Sequence, residues 1–395
     1  MPPPADYPDH QDLVAALRGF RTRRELEASA AYAASRERLA ALLGEPRLFP
    51  YPAARPRLAD FLRIAHWNIE KGKHLPAAVA AFREHPALRQ ADLISLNEAD
   101  VGMNRSGQRF IARELGEALG MHVLFAPAYL EFSKGYGEDL SMPGENTAAL
   151  QGNAILSRHA LGRPRVVALP ACFDHFGHAE KRIGGRSAVA AEVRVGARSL
   201  TFVSTHLEVR HSPACRARQM GTIVAALAGA PAAVIAGDFN TSTFNRGGGW
   251  RTAWAGLRLA VADPERLRRL LARPQAREPL FALLRRHGFT ERSLNSDDIT
   301  CRVPMRGFED RDRLPAFAAD YFERRLRRFN FRLDFRLDWI VGRGVTPLTD
   351  GEVVDGTSGV ASLGPQTIAG LAVSDHDPIT TDIIVHEEHE GARRI

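Results

Sequence analysis

The sequence predicts a mixed α+β domain built on two packed sheets and preceded by a helical extension. Three observations carry this expectation. Apolar runs of strand length recur between helical segments from about residue 58 to residue 386. Several of those runs follow one another with no helix between them, as at 187–195 and 200–207, which argues against a purely parallel sheet. The chain has 395 residues, 45% hydrophobic and 25% charged, enough to bury a sizeable core.

From the N-terminus, residues 10–43 are rich in Ala, Arg and Glu with helical periodicity, and read as two amphipathic helices closed by Gly44. The stretch "EPRLFPYPAARPR" (45–57) carries four prolines and reads as a linker. Residues 1–57 are thus expected to form an N-terminal extension and linker, and 58–386 the main domain. Strands are expected at 62–69, 92–98, 122–130, 153–157, 187–195, 200–207, 232–239, 337–342 and 378–385. Helices are expected near 75–89, 107–119, 213–229, 264–272, 278–287 and 315–328. The Arg-rich stretch 244–336 reads as a substrate-side insertion, and 387–395 as a charged, solvated tail.

The balance of 53 basic and 46 acidic residues gives +7, and only Lys71, Lys73, Lys134 and Lys181 are lysines. So many arginines suit an anionic substrate, because guanidinium forks match phosphate. They equally suit a GC-rich codon bias, and composition does not separate the two. Cys172, Cys215 and Cys301 lie far apart, so neither a disulfide framework nor a zinc spacing is expected, which fits a reducing compartment. The first residues show no basic-then-apolar leader, and no apolar run reaches the ~18 residues of a membrane span. A cytoplasmic location is therefore the expectation; the oligomeric state is left open.

Polar residues stand at the ends of several strand candidates. They are Asn68 in "HWNIEKG", Glu98 in "SLNEAD", His206 in "STHLE", Asp238 and Asn240 in "IAGDFN", Asp338 in "LDWIV", and Asp375 and His376 in "SDHDP". Strand residues two apart share a face, so Asp238 and Asn240 point the same way. Strands lying side by side would gather these tips into one cleft of carboxylates and imidazoles. An oxygen-rich, thiol-free set suits Mg²⁺ or Mn²⁺. With two histidines it also suits phosphoester hydrolysis, where one group takes a proton from water and another protonates the leaving oxygen.

The ordered series "WNI", "NE", "GNAILSR", "STHLE", "GDFN", "LDWIV", "SDHDP", spread over about residues 60–386, resembles the endonuclease/exonuclease/phosphatase superfamily. That group includes deoxyribonucleases, neutral sphingomyelinases, inositol polyphosphate phosphatases, abasic-site endonucleases and tyrosyl-DNA phosphodiesterases. The resemblance implies a four-layer α/β/β/α sandwich and Mg²⁺- or Mn²⁺-dependent, in-line attack of water on phosphorus. It implies that Glu98 is the principal metal ligand, with Asn68 beside it and Asp375 touching a metal or bracing the site. Asp238 would align or deprotonate the water, and Asn240 would hold a phosphate oxygen. His376 would sit at the scissile phosphate, oriented by Asp338. His206 would be a phosphate contact or leaving-group acid, and Arg186 in "GRSAVAAEV" a cationic phosphate contact. "THLE" followed by "RARQM" (216–220) resembles the sphingomyelinase, phosphatase and tyrosyl-DNA phosphodiesterase side more than the abasic-site enzymes.

The remaining candidates have plainer readings. Asp334 rivals Asp338, but the run "DWIV" continues as a buried strand, so Asp338 is preferred. Asp100 reads as a solvated loop residue or cap, Asp377 as a structural hydrogen-bonding residue, and Gly152 and Asn153 as the cleft wall. Lys71, Lys73 and His74 read as surface loop within reach of a phosphate. The segment "DHFGHAEKRIGGR" (174–186) reads as a lid or nucleic-acid contact, or as a mobile loop. "TFNRGGGWR" (243–251) reads as a turn or a close backbone approach to a ligand. For the substrate, a small or lipid-like phosphoester comes first, DNA or RNA is the alternative, and an inactive binding module on the same fold comes last. The arginines of 263–332 are interleaved with acids and apolar residues and form no nucleic-acid stripe. Fold does not fix substrate.

Overall fold

The computed structural model describes residues 7–58, 61–135, 137–241, 254, 262–304, 324, 327–348, 360–368 and 370–386. Two mixed sheets lie at its centre. The larger runs, in spatial order, Arg47–Phe49, His122–Glu131, Leu150–Ser157, Leu93–Val101, Leu62–Asn68, Ile379–Val385 and Val345–Pro347. Arg182–Gly184 and Ala361–Ser362 add short pieces to it. The smaller runs Asp338–Arg343, Ala233–Asp238, Arg198–His206, Ser187–Val195 and Leu161–Ala168. Leu62–Asn68 pairs parallel with Leu93–Val101, and Arg198–His206 parallel with Ala233–Asp238, among otherwise antiparallel neighbours.

Strand periodicity sorts the side chains into layers. In Leu62–Asn68, Leu62 and Ile64 point between the sheets, where they meet Val189, Phe202, Val234 and Ile340. Ala65 and Trp67 point the other way, into a core closed by Leu75, Phe82, Ile111 and Leu115 from helices. The smaller sheet turns Val203, Ile235 and Trp339 outward against Met220 and Ile223 of Pro213–Ala226 and Phe281 of Pro279–Arg286. The result is helices, sheet, sheet, helices: the expected four layers. Among the described residues no helix is long and apolar enough to cross a membrane.

Several elements differ from expectation for local reasons. The N-terminal stretch forms three helices, Gln11–Leu17, Arg23–Glu27 and Ala30–Gly44. Thr22 and Glu25 make a reciprocal capping box that starts the second. Gly44 is the last helical residue, and Glu45 caps it in an extended conformation. Within the proline-rich 45–57, Arg47–Phe49 becomes an edge strand on His122–Glu131. The helix expected at 75–89 divides at His85, because Pro86 drives its predecessor out of the helical region and opens a new turn. The unexpected strand Leu161–Ala168 contains Pro164, tolerated because the strand lies at the sheet edge and its register shifts between Gly162 and Arg165. The stretch 243–251, nearly all of the helix expected at 315–328, and the tail 387–395 fall outside the described residues.

Two expectations are corrected. Cys172 and Cys215 form a disulfide, although 43 residues separate them. The fold makes them neighbours: Cys172 lies four residues beyond the end of Leu161–Ala168, and Cys215 lies in the first turn of Pro213–Ala226. Cys301 remains a buried thiol. Asp100 is no solvated loop residue. It is fully buried and takes a two-pronged ion pair from Arg105, at 2.8 and 3.0 Å.

Candidate active site

The site grows out of the face between the sheets. On that face Leu200 and Phe202 are followed by Ser204 and His206, Val234 and Ala236 by Asp238, and Ile340 is preceded by Asp338. In the larger sheet Ile64 is followed by His66 and Asn68, and Leu93 by Ser95 and Asn97. Each strand thus changes from apolar to polar at the same end. The register sets His206, Asp238 and Asp338 side by side in one row across three strands. Asn68 lies opposite Asn97 in the other sheet.

Hydrogen bonds tie the two rims together. His66 sets Nε2 3.0 Å from Asp338 Oδ1 and Nδ1 3.0 Å from Ser95 Oγ. Ser95 donates to Ser204 Oγ at 2.7 Å, and Asn97 Oδ1 accepts from the Asp238 backbone N–H at 2.8 Å. Asn97 also donates to Asn153, which donates in turn to the Ser187 carbonyl. Gly152 is needed beside it, because a Cβ there would run into the Ala126 carbonyl.

Asp338 is the hub. Its Oδ2 accepts from Thr300 Oγ1 and lies 2.7 Å from His376 Nδ1. The rest of "SDHDP" is held as firmly. Trp67 Nε1 donates to the His376 carbonyl, Ser374 Oγ donates to the Asn68 carbonyl, and Asp377 pairs with Arg302, as its structural reading required. Asp334, the rival, pairs instead with Arg332. His376 Nε2 is 3.9 Å from Asp238 Oδ2, and His206 Nε2 is 3.3 Å from the same oxygen.

These contacts divide the charges. Burial pushes Asp238 up to about 7, although His376 opposes it. Burial works against ionisation of Asp338 too, yet the His376 and His66 contacts hold its carboxyl well below the usual range. Burial disfavours charge on His376, but Asp338 beside it holds the imidazole well above its ordinary value. His206 moves the other way, lowered by burial and then by Arg186 and His376.

A second group of acids gathers next to this row. Asn68 Nδ2 donates to Glu98 Oε1 at 3.2 Å and Asp238 Oδ2 at 3.3 Å. Glu98 lies where the Leu93–Val101 strand bulges against its neighbour, with φ +58°, which re-aims its side chain. Glu70, which the sequence reading passed over, accepts from the Asp375 backbone N–H at 3.1 Å. Burial and then the repulsion of Asp375 and Glu98 raise Glu70 to about 7. Asp375 is also raised, by burial and by Glu98 among its neighbours. Glu70, Lys71 and Asn240 share positive φ with Glu98, at +45°, +69° and +50°, so backbone strain concentrates here.

Carboxylates crowded so that Glu98 raises both Glu70 and Asp375 are a fitting seat for a hard cation. Glu98, Glu70 and Asp375 offer oxygens, and Asn68 would offer Oδ1 after a turn of its amide. Two tighter groups of ligand-type residues, Asp238–Asp338–His376 and Cys301–Asp375–His376, adjoin them. Asn240 donates its backbone N–H to Asp238 and one side-chain hydrogen to the Leu207 carbonyl among the described residues. All these residues except Asn68, Glu70 and Asp338 border a cleft of about 250 Å³, which Lys71, Glu180, Arg182, Arg186 and Arg210 also line. The segment 174–186 is packed rather than loose: His175 is buried, 3.1 Å from Glu208, and Arg182–Gly184 pairs with His122–Glu131.

The sequence pattern described as the Endonuclease/Exonuclease/phosphatase family matches residues 65–376. The chain belongs to that family. Endonuclease/exonuclease/phosphatase members are phosphoesterases and nucleases that generally depend on divalent metal, and the chain is a hydrolase of this class. No curated protein matches it. Among solved structures it is similar to an endonuclease/exonuclease/phosphatase from Beutenbergia cavernae, with 16% identity over 83% of this chain and 72% of that one, TM-score 0.47. The human nocturnin catalytic domain with bound sulfate shares 14% identity over 86% and 97%, TM-score 0.43. An AP endonuclease from Archaeoglobus fulgidus shares 14% over 81% and 98%, TM-score 0.43.

Besides Glu70, the sequence reading missed His66 and Thr300. His66 carried a signal: an imidazole inside an apolar strand, two residues before Asn68 and so on the same face. Thr300, in a loop remote in sequence, carried none.

Proposed function

We propose that the chain is a Mg²⁺- or Mn²⁺-dependent phosphoesterase acting on a small or lipid-like phosphoester. The observation that supports this best is the pairing of opposite protonation behaviours 3.9 Å apart: Asp238, a carboxylate raised to about 7, and His376, an imidazole held in its charged form by Asp338. Paired groups pushed in opposite senses are what acid–base chemistry near neutral pH needs.

In this reading Asp238 orients a water and takes its proton as the water oxygen bonds to phosphorus in line. His376 donates from Nε2 to a non-bridging oxygen, where negative charge builds up. His206, kept neutral, and the Asn240 amide bind phosphate oxygens, and Arg186 adds a positive charge behind them. The bond from phosphorus to the leaving oxygen breaks on the far side, and its electron pair leaves with that oxygen as an alkoxide, which takes a proton from solvent water. Glu98, Glu70, Asp375 and Asn68 would hold the cation, which when bound supplies charge neutralisation for the phosphoryl group.

The test is hydrolysis of bis-p-nitrophenyl phosphate, plasmid DNA and RNA with Mg²⁺, with Mn²⁺ and with EDTA, using Asp238→Ala as the control. Metal-dependent hydrolysis of the small ester, lost in the control, is the expected result. Nicking of DNA or RNA far faster than the small ester would replace this reading with a nuclease. Metal-independent hydrolysis that persists in Asp238→Ala would overturn the mechanism.

A further inference from the structure

Cys172 and Cys215 lie outside the catalytic group, but on the segments that carry one wall of its cleft. The chain from Cys172 runs on to Arg182 and Arg186. The helix that holds Cys215 follows the loop of Val209 and Arg210, and all four of these residues line the cleft. The Cys172–Cys215 bond therefore clamps the two stretches together. Gln219 reinforces the clamp, donating to the Pro170 carbonyl and accepting from the Glu208 backbone N–H.

A disulfide needs two sulfurs and nothing more, yet a third donor stands beside them. A ring nitrogen of His211 and both sulfurs all lie within 4.8 Å of one another. Ser212 Oγ, 3.2 Å from Nδ1, holds the imidazole. Arg218 donates to Cys172 Sγ at 3.5 Å, a contact that strengthens when the sulfur is a thiolate. Cys215 lies in the first turn of Pro213–Ala226, where unpaired helix N–H groups also favour a thiolate. Cys215 is buried, whereas Cys172 and His211 are half-buried, so a small solute can reach the group. The two Cα atoms are 6.3 Å apart, toward the wide end of what a disulfide spans. At that spacing the sulfurs can turn to about 3.8 Å apart, the separation of two thiolates on a tetrahedral zinc ion.

We propose that Cys172, Cys215 and His211 form a thiophilic-metal site: a disulfide in the oxidised chain, a seat for Zn²⁺ in the reduced one. Two thiolates and an imidazole select a borderline-soft ion, in contrast to the oxygen-rich group around Glu98. The thiolates neutralise the ion, and solvent fills the fourth position. A water-soluble phosphine opens the site by attacking Cys172 Sγ; the S–S bond breaks and its electron pair leaves on the Cys215 sulfur. Water then replaces the Cys172 sulfur on phosphorus, giving phosphine oxide and two thiols, so phosphorus loses the two electrons that the sulfurs gain. Zn²⁺ displaces both thiol protons as it binds. The ion thus restores in the reduced chain the clamp that the disulfide makes in the oxidised one.

The experiment uses the full chain, reduced with the phosphine, stripped of metal and kept in excess Mg²⁺ so that the oxygen-rich seat is filled. Co²⁺ is the probe, because thiolate ligands give it an intense near-ultraviolet charge-transfer band that oxygen ligands do not. The reduced chain should develop this band and saturate at one equivalent of Co²⁺, Zn²⁺ should abolish it, and the oxidised chain should not show it. Cys172→Ser and Cys215→Ser should each lose the band, His211→Ala should shift the visible bands of the bound ion, and Cys301→Ser should leave the charge-transfer band in place, with circular dichroism confirming the folds. Should a cysteine variant not fold, the wild type decides: one equivalent of Zn²⁺ should protect Cys172 of the reduced chain from iodoacetamide, read by peptide mass. No band in the reduced chain, a band that survives Cys172→Ser, or equal alkylation of Cys172 with and without Zn²⁺ overturns the site. None of these results bears on the phosphoesterase reading, which the site does not need.

Discussion

Replacing Asp338 by Asn tests the charge assignment most directly. The two side chains have nearly the same shape, but Asn offers one acceptor and one donor group. Asp338 receives His66 on one oxygen, and His376 and Thr300 on the other. With its NH₂ toward His376 and Thr300 a bond is lost, and with its NH₂ toward His66 that imidazole has to change tautomer to accept it. The missing negative charge matters more. With charge centres roughly 4 Å apart and an effective dielectric near 20, the pair is worth about 4 kcal/mol, or about 3 pKa units on His376. Relaxation of the site reduces this, so a fall of about 2 units is expected. In the wild type, kcat/KM should rise with pH as Asp238 ionises near about 7, then fall where His376 loses its proton, well above the ordinary imidazole value. In Asp338→Asn the alkaline limb should move down by about 2 units toward the acid limb, and the maximum should drop by about 10²–10⁴. The assay is the pH profile of kcat/KM on bis-p-nitrophenyl phosphate, with circular dichroism to confirm folding. A folded variant that loses activity while its alkaline limb stays in place would refute the charge assignment to His376.

Other expectations follow from the same contacts. In Glu98→Gln, the rise in melting temperature produced by saturating Mg²⁺ should vanish; in the wild type that rise reflects about 2.7 kcal/mol at a hundredfold excess over Kd, and an unchanged rise in the variant would remove Glu98 from the metal seat. Thiol titration of the native protein purified without reductant should find only Cys301 unoxidised, and only after unfolding. Removing the Cys172–Cys215 link by Cys172→Ser should cost up to about 4 kcal/mol by chain entropy, and three titratable thiols in the protein as isolated would contradict the pairing. Stability in EDTA should peak on the acid side of neutrality. Burial opposes ionisation of Glu180 and Glu208, yet Arg182 and Arg105 for the first, and His175 and Arg186 for the second, pull each down to about 2. Carboxyls held low in the folded state give stability that is present above their ordinary value and lost as pH falls through about 2. Burial pushes Glu131 up to about 7 and Asp92 to about 6, so their contribution has the opposite sign and is lost as pH rises through those values. Urea midpoints should therefore be higher near about pH 5 than near pH 2 or pH 8, and a midpoint that climbs steadily to pH 8 would count against this balance.

Most of the sandwich was legible because its strands are apolar runs of the right length. "LRIAHWN" and "AAVIAGDF" are buried along their whole length and turn polar near their C-terminal ends, and those ends are where Asn68 and Asp238 lie. What escaped did so for physical reasons. Leu161–Ala168 hides behind Pro164, acceptable only at an edge that no local pattern reveals. The Cys172–Cys215 link is a product of tertiary proximity. Asp100 looked like loop because its partner Arg105 lies beyond the strand end, and only the fold buries both. Glu70 opens a sharp turn of three consecutive positive φ angles, Glu70 to Gly72, that sets it beside Asp375, a path that spacing alone does not suggest.

The hydrogen bonds joining His66 to Asp338, Ser95 to Ser204 and Asn97 to Asp238 cross from one sheet to the other. The reacting groups therefore belong to neither sheet alone. Oily surfaces can slide past one another by a fraction of a residue at little cost, whereas directional bonds of this kind tolerate almost no slip. Catalysis then becomes a gauge of how faithfully the two halves are aligned. In mild denaturant the enzyme should fall silent while its backbone is still folded, and mutations deep in the sandwich, far from any ligand, should be felt first as lost turnover.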